Sequence, residues 1–313
     1  MPAYEVLTMG RIGVDLYPEQ AGVGLAEVRT FAKFLGGSPS NVAVAAARYG
    51  RRAAVITRVG ADPFGEYLRL ALRGFGVDDR FVGVVDGLPT PVTFCEIFPP
   101  DRFPLYFYRY PKAPDIAIFP DELDMAAIRA AGVFWVTGTG LSAEPSREAT
   151  LTALKNRDKS GITVFDLDWR PMFWDSPARE IYAEALAHTT VAVGNLDEVE
   201  IATGTRDPEA AAAALLESGV ELAVIKQGPA GVIAVSRTER ARSAPVRVEV
   251  VNGLGAGDAF GGALCHGLLH GWPLPAVLDF ANAAGALVAG RLACADAMPA
   301  EHEVRDLLGA GHG

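Results

Sequence analysis

The sequence predicts an α/β fold with a mainly parallel central sheet, helices on both faces and a small inserted antiparallel β-patch. Three observations carry this. Short β-rich runs alternate with helical patterns at the spacing of crossover units. One stretch, Phe81 to Tyr110, breaks the alternation, because strands follow one another there with no helix between. Two glycine turns, Gly36-Gly37 and Gly255-Ala256-Gly257, each end an apolar or β-rich run and open a helix.

The elements follow in order. Glu5 to Met9 is the first strand candidate, and Pro39 to Tyr49 is a helix with Ala at most positions and Pro in its first turn. Ala53 to Val59 is a strand and Phe64 to Arg73 a helix. Within the interruption, Phe81 to Val85, Pro91 to Phe98 and Pro104 to Tyr110 alternate and are separated by Pro, Gly and Asp turns, which predicts an antiparallel patch. The alternation then resumes with strands at Val133 to Thr137, Ile162 to Asp166, Val191 to Gly194, Leu222 to Lys226, Val232 to Val235 and Arg247 to Val251. Helices at Ser146 to Asn156, Pro177 to His188 and Pro208 to Glu217 separate most of them. Strands and helices so spaced argue for a parallel sheet covered on both faces.

A chain of 313 residues can bury a large core in one or two domains. Its net charge of −10 opposes a nucleic-acid or anionic-membrane surface, since both require a basic footprint. Cys95, Cys265 and Cys294 are odd in number and lack CxxC spacing, which points to buried thiols in a reducing compartment. Met1 to Gly10 carries Glu5 and no basic n-region, so no signal peptide is expected, and no apolar run reaches the roughly 18 residues of a membrane span. The expected location is the cytoplasm. Apart from Ala210 to Ala214, there is no low-complexity segment and no internal repeat.

The richest segment runs from Val248 through Asn252-Gly253-Leu254-Gly255-Ala256-Gly257-Asp258. Its glycines let successive N–H groups, aided by the following helix dipole, face one anionic oxygen. Asp258 sits in the first helical turn beside that anion. A carboxylate at a helix start has a purely structural reason to be there, but that reason does not explain the glycines. Phosphoryl transfer needs both parts, donors for developing charge and a base for the attacking hydroxyl. In the second segment, Gly36-Gly37-Ser38-Pro39-Ser40-Asn41, Gly37 permits close approach to a polyol and Asn41 can donate to and accept from its hydroxyls. An ordinary strand-to-helix turn is the plain alternative.

Together these two segments resemble the two signatures of the ribokinase-like, or phosphofructokinase-B type, sugar kinases, over essentially the whole chain. The resemblance implies a ribokinase-like three-layer sandwich. Residues 1–11, 34–80 and 114–313 would form the core and residues 12–33 and 81–113 the lid. It implies ATP and Mg²⁺ as cofactors and a small-molecule sugar as substrate, and it allows a homodimer formed through the lid. Asp258 would be the base, with Gly255, Ala256 and Gly257 as the anion hole. Asp15, Gly37 and Asn41 would contact the sugar; a turn or capping role is the alternative for Asp15. Asn195 and Glu198, three apart on an opening helix, would lie near the phosphates, with Glu198 reaching Mg²⁺ through water; a capping box is the alternative. Lys226, Gly228 and Gly231 would line the nucleotide, and Asn282 would lie near the adenine. Lys226 could equally be a solvated loop lysine, and Asn282 a polar residue on a half-exposed helix face. The commonest family pattern, Asp-Thr-Thr before Gly-Ala-Gly-Asp, is replaced here by Asn252-Gly253-Leu254, so the K⁺ site that this Asp helps to build in relatives is expected to be weakened.

Two arginines bear on the substrate. Arg109 lies in the aromatic lid run Leu105 to Ala113, and Arg170 follows the strand ending at Asp166. A guanidinium grips a carboxylate bidentately, which a sugar acid uses and a plain aldose does not; surface charge is the alternative for each. This pairing resembles the family's kinases of deoxy-keto-hexonates, and the runs Met9 to Tyr17 and Thr93 to Pro100 look most like those of bacterial inositol catabolism. The implied reaction is ATP-dependent phosphorylation of a primary hydroxyl of a deoxy-keto sugar acid. Kinases of 2-keto-3-deoxygluconate or of neutral sugars such as ribose and fructose are the near alternatives, and a catalytically silent sugar- or nucleotide-sensing regulator is a more distant one.

Two patterns compete. Gly138-Thr139-Gly140-Leu141-Ser142-Ala143, followed by Asp166 and Asp168, fits an NAD-dependent dehydrogenase fingerprint but leaves both glycine turns without a role. His266 and His270, four apart on one helix, lack a third metal ligand and read as helix-face residues. There is no Walker-A lysine motif, so a nucleotide would have to be held by the Gly255 turn.

Overall fold

A computed structural model describes residues 4–310. Its strands are β1 (Val6–Met9), β2 (Gly13–Pro18), β3 (Phe31–Gly36), β4 (Ala53–Gly60), β5 (Val77–Asp78), β6 (Val82–Val85), β7 (Val92–Cys95), β8 (Leu105–Tyr108), β9 (Val133–Thr137), β10 (Ile162–Asp166), β11 (Val191–Asn195), β12 (Leu222–Lys226), β13 (Val232–Ser236) and β14 (Arg240–Ser243). The helices are α1 (Ser38–Arg48), α2 (Pro63–Gly74), α3 (Met125–Ala130), α4 (Ser146–Arg157), α5 (Ala178–Ala187), α6 (Leu196–Thr203), α7 (Pro208–Glu217), α8 (Ala256–His270), α9 (Leu274–Ala289) and α10 (Glu301–Ala310).

The large sheet runs β14-β13-β12-β11-β10-β9-β1-β4-β5 and is parallel from β12 to β5. Each central strand is apolar on both faces, as burial under two helical layers requires. Val6, Val133 and Trp135 pack with α1, α8 and α9, while their neighbours Leu7, Phe134 and Val136 pack on the opposite face with α4, α5 and α7. The period-2 alternation of a strand thus supplies two cores from one run of residues, and the three-layer arrangement expected from the sequence is present.

Four expectations are corrected. Arg247 to Val251 pairs with no strand among the described residues. The terminal strand is instead β14, antiparallel to β13. Its Arg240 and Arg242 are exposed and alternate with buried Ala241 and Ser243, and such a charged, short-chained edge carries little β signal. The Phe81 to Val85 segment does not join the lid, since β6 pairs parallel with Thr57 to Gly60 of β4 and extends the core. The second lid segment begins instead at β7, and β3 carries the first to Gly36, past the boundary expected at residue 34. Finally, the lid order is β3-β2-β7-β8, and its central β2–β7 pair is parallel, an arrangement that the long crossover between those strands allows. Residues 1–3 and 311–313, assigned to the core on sequence, lie outside the described residues.

Close helix packing aligns the two glycine turns. A Cβ on Gly262 of α8 would collide with the Cβ of Ala45 in α1, so these helices touch at backbone distance. Their N-termini therefore open side by side at the carboxyl edge of the parallel strands, where ligands bind in sheets of this kind.

Candidate active site

A cavity of about 270 Å³ lies between that edge and the inner face of the lid. The lid contributes Asp15, Tyr17, Thr93, Leu105 and Phe107, and the strand ends contribute Asp166, Asn195 and Lys226. A second, more open cavity adjoins it and shares Lys226 and Gly257; Gly228, Gly231 and Asn282 line it too. The unpaired segment Arg247 to Val250 forms part of its wall, which gives that stretch a role other than the strand expected.

Asp258 occupies the first turn of α8. Its Oδ1 accepts from Ser38 Oγ and its Oδ2 from Asn41 Nδ2, each at 2.7 Å. Burial raises its pKa above the ordinary carboxylate value, while Asn41 and Ser38 oppose that rise. Gly255 precedes the helix at φ 81°, in the left-handed region, and among the described residues no side chain caps it. The first N–H groups of α8, which no helix can satisfy internally, are thereby left to the cavities. An added Cβ at Gly255 would lie 2.8 Å from Cys294 Sγ, so the turn admits no side chain. Gly37, at φ 105°, packs on the main chain of Arg11 and Ile12 and opens α1 into the same cavity.

Asp15 lies on β2, and burial raises its pKa to about 6. Tyr17 Oη donates to its Oδ2 at 3.1 Å and lies 2.8 Å from Cys294 Sγ. Burial also pushes Asp166 well up, with Lys226 opposing and Glu198, Asp168 and Asp258 reinforcing the shift. For Lys226, burial acts against the ammonium but the same carboxylates outweigh it, and the pKa is raised. A Cβ on Gly257 would sit 3.5 Å from Lys226 Nζ, which places the ammonium against the turn from Gly255 to Gly257.

Asn195 and Glu198 do form a capping box: Asn195 Oδ1 accepts from Asp197 and Glu198 N–H at 2.9 and 3.0 Å, and Glu198 Oε2 accepts from Asn195 N–H at 2.7 Å. Both also line the first cavity. Asn282 Nδ2 donates to Ser243 Oγ and Ala244 O, each at 3.0 Å, which ties α9 to β14 at the second cavity. Arg170 lines the first cavity, with its Nη2 3.6 Å from Asp168 Oδ1.

Arg109 is the exception. It lies outside both cavities and pairs at 2.5 Å with the buried Asp115, whose Oδ2 also accepts from Ile12 N–H. Arg11, Tyr17, Ser38, Thr93 and Cys294, which no motif in the sequence marks, also line the site, together with Asp166 and Asp168, whose spacing in the sequence suggests only a dinucleotide fingerprint. The usable signal was Asp166-Leu167-Asp168-Trp169-Arg170, three charges alternating off a strand end. At Gly138 a Cβ would strike Leu167 O and Tyr182 Oη, so packing accounts for that glycine. His266 is buried among Tyr49, Trp272 and Phe280, and its Nδ1 faces Arg51 Nε at 3.1 Å.

Among the described residues no group of three or more His, Cys, Asp or Glu forms a ready metal cage. Mg²⁺ usually binds through one or two carboxylates, waters and phosphates, and Glu198 and Asp166 beside Lys226 fit that kind of site. None of the described helices is long and apolar enough to cross a membrane.

The pattern of the pfkB family of carbohydrate kinases matches residues 4–301. The 5-dehydro-2-deoxygluconokinase of Shouchella clausii is 32% identical over 316 residues, covering 99% of this chain and 97% of that protein. The 5-dehydro-2-deoxygluconokinase of Photobacterium profundum is 32% identical over 314 residues, covering 97% and 94%. Among solved structures, an E. coli protein described as a ribokinase II, in complex with ATP and Mg²⁺, superposes with a TM-score of 0.89 at 25% identity, covering 98% of this chain and 99% of its own. Aminoimidazole riboside kinase from Salmonella enterica, complexed with aminoimidazole riboside and an ATP analogue, gives 0.81 at 26% identity, covering 97% and 99%.

Proposed function

We infer, for a chain that belongs to the pfkB family of carbohydrate kinases, that it transfers the γ-phosphoryl group of ATP to a primary hydroxyl of 5-dehydro-2-deoxy-D-gluconate. The observation that carries this is Asp258, a half-buried carboxylate held by Ser38 and Asn41 in the first cavity, next to Gly257, which borders both cavities, and at an uncapped helix N-terminus. The names of the full-length relatives support the choice of hexonate.

In this reading the sugar lies under the lid against Asp15, Gly37 and Asn41, and the nucleotide occupies the second cavity past Gly228, Gly231 and Asn282. Asp258 accepts the proton of the attacking hydroxyl. The new O–P bond forms as the bond from the γ-phosphorus to the bridging oxygen breaks, and ADP leaves. The first N–H groups of α8 and the Lys226 ammonium stabilise the charge that develops on the transferring group. Bound Mg²⁺, held with the phosphates through Glu198 and Asp166, would neutralise phosphate charge. The lid excludes water, which favours transfer over hydrolysis. We also propose that two copies pair through the lid, whose β8 leaves Tyr106 and Tyr108 exposed; sedimentation of the purified protein tests it.

A coupled assay of ADP release decides the substrate across 5-dehydro-2-deoxygluconate, 2-keto-3-deoxygluconate, ribose, fructose and a nucleoside. We expect kcat/KM highest for the first. Faster turnover of ribose or fructose than of both acids would remove the substrate assignment and leave the kinase standing.

A further inference from the structure

The first cavity contains two guanidinium groups, and Arg109 is not one of them. Arg11 lies on the passage from β1 to the lid. Its carbonyl accepts from Ser40 Oγ at 3.3 Å, and the next N–H, that of Ile12, donates to Asp115 at 3.1 Å, so its backbone is pinned on both sides. The guanidinium stacks over Phe107 of β8, 5.5 Å from the ring centre. It lines the first cavity together with Asp15 and Asp258, and its charge opposes the burial-driven rise of both carboxylates. Arg170 enters from the end of β10, with Nη1 donating to Trp169 O at 3.2 Å. Among the described residues, the buried Nε atoms of both arginines lack a hydrogen-bond partner.

Buried donors without partners are costly and uncommon in a folded protein, and here two of them belong to cations that line one cavity. The nucleotide phosphates have donors of their own at the α8 N-terminus and at Lys226, which borders both cavities, whereas Arg11 and Arg170 border only the first. Their missing partner therefore belongs to the sugar. Arg170 already has Asp168 Oδ1 3.6 Å from its Nη2, so a neutral polyol would leave the Arg11 charge without a close anion, while a carboxylate matches the planar fork of each arginine. We propose that Arg11 and Arg170 together receive the carboxylate of the sugar acid, with Arg11 as a specificity-determining residue, and that Arg109 serves the fold by neutralising Asp115. This rests on the sugar-acid kinase reading above.

The test is the ratio of kcat/KM for 5-dehydro-2-deoxygluconate to that for fructose, measured in wild type, Arg11→Met and Arg11→Lys, with thermal unfolding to establish that each variant is folded. For Arg11→Met the ratio should fall about 10- to 100-fold, the worth of a charge-assisted hydrogen bond. The fall should come through KM for the acid, with no comparable rise in KM for ATP. Arg11→Lys, which keeps the charge and loses the fork, should recover part of it. If Arg11→Met does not fold, Arg11→Gln is read in the same way. A wild type that prefers the acid and a folded variant with an unchanged ratio would overturn the clamp alone. A wild type that prefers fructose would overturn the substrate reading and the clamp with it.

Discussion

Asp258 is a base only when ionised, and its surroundings set the pH at which that happens. Because burial raises its pKa, the acid limb of the kcat profile should lie above the ordinary carboxylate range. Ser38→Ala removes a donor that favours the charged form, so it should move that limb to higher pH; a limb that stays in place would dissociate Asp258 from proton transfer. Asp258→Asn should keep the fold and nucleotide binding while kcat drops by roughly 10²–10⁴-fold, the loss expected of a general base, and full activity in the purified variant would end the mechanism. Arg109 makes the opposite case. Its partner Asp115 is 1% exposed, so Arg109→Met strands a buried carboxylate and should cost about 3–5 kcal/mol of stability. Denaturant unfolding reads that cost, and a stable variant would show that Asp115 finds other compensation.

At the scale of elements, the turn between Asn252 and Gly257 and the segment after α9 are one device. Asn252 is fully buried, with Oδ1 accepting from Leu254 N–H at 3.1 Å and Nδ2 donating to Leu292 O at 2.6 Å. A neutral amide closes this turn by its own hydrogen bonds and attracts a cation less than a carboxylate would. Rates in K⁺, Na⁺ and a bulky organic cation at equal ionic strength should therefore differ little, and a large activation selective for K⁺ would contradict this. The neighbouring Gly255 allows no substitution so mild. Gly255→Ala must adopt positive φ and push on Cys294, which displaces the first N–H groups of α8. A kcat loss of about 10²–10³-fold is expected, the scale of a lost oxyanion donor, and near-normal kcat would mean that those N–H groups are not used.

Across the whole molecule, a site with several buried carboxylates is held together against its own charge, and pH should reveal the cost. Asp15 has a folded pKa near 6 against an ordinary 3.8. Its folded form binds the proton more tightly than the unfolded chain does, so its contribution to stability is complete at low pH and is lost as pH rises through the folded value. At about 1.4 kcal/mol for each pH unit, the loss is about 3 kcal/mol. Asp15→Asn, which has nothing to ionise, should unfold like the wild type near pH 4 and become the more stable protein by pH 7. A stability difference that does not change with pH would show that Asp15 is better solvated than its burial implies.

The sequence by itself determined the alternating sheet, the two glycine turns, the placing of Asp258 in a first helical turn and the family, because each is encoded within a few consecutive residues: apolar periodicity, positions that only glycine fits, a carboxylate at a helix start. Most of the residues it singled out for the site do lie along the two cavities. It misread elements whose partners are distant in the chain. Strand β6 has the composition of a lid strand but pairs with β4, Arg247 to Val251 has β-like residues and no strand beside it, and β14 pairs despite two arginines. Only the tertiary structure decided which arginines line the first cavity. Arg109 and Arg11 are equally basic in the sequence, but the fold sets Asp115 against one and leaves the Nε of the other unpartnered. A side chain's charge is a local property, whereas the partner that answers it is chosen by packing across about a hundred residues, from Ile12 to Asp115, which no short-range pattern records.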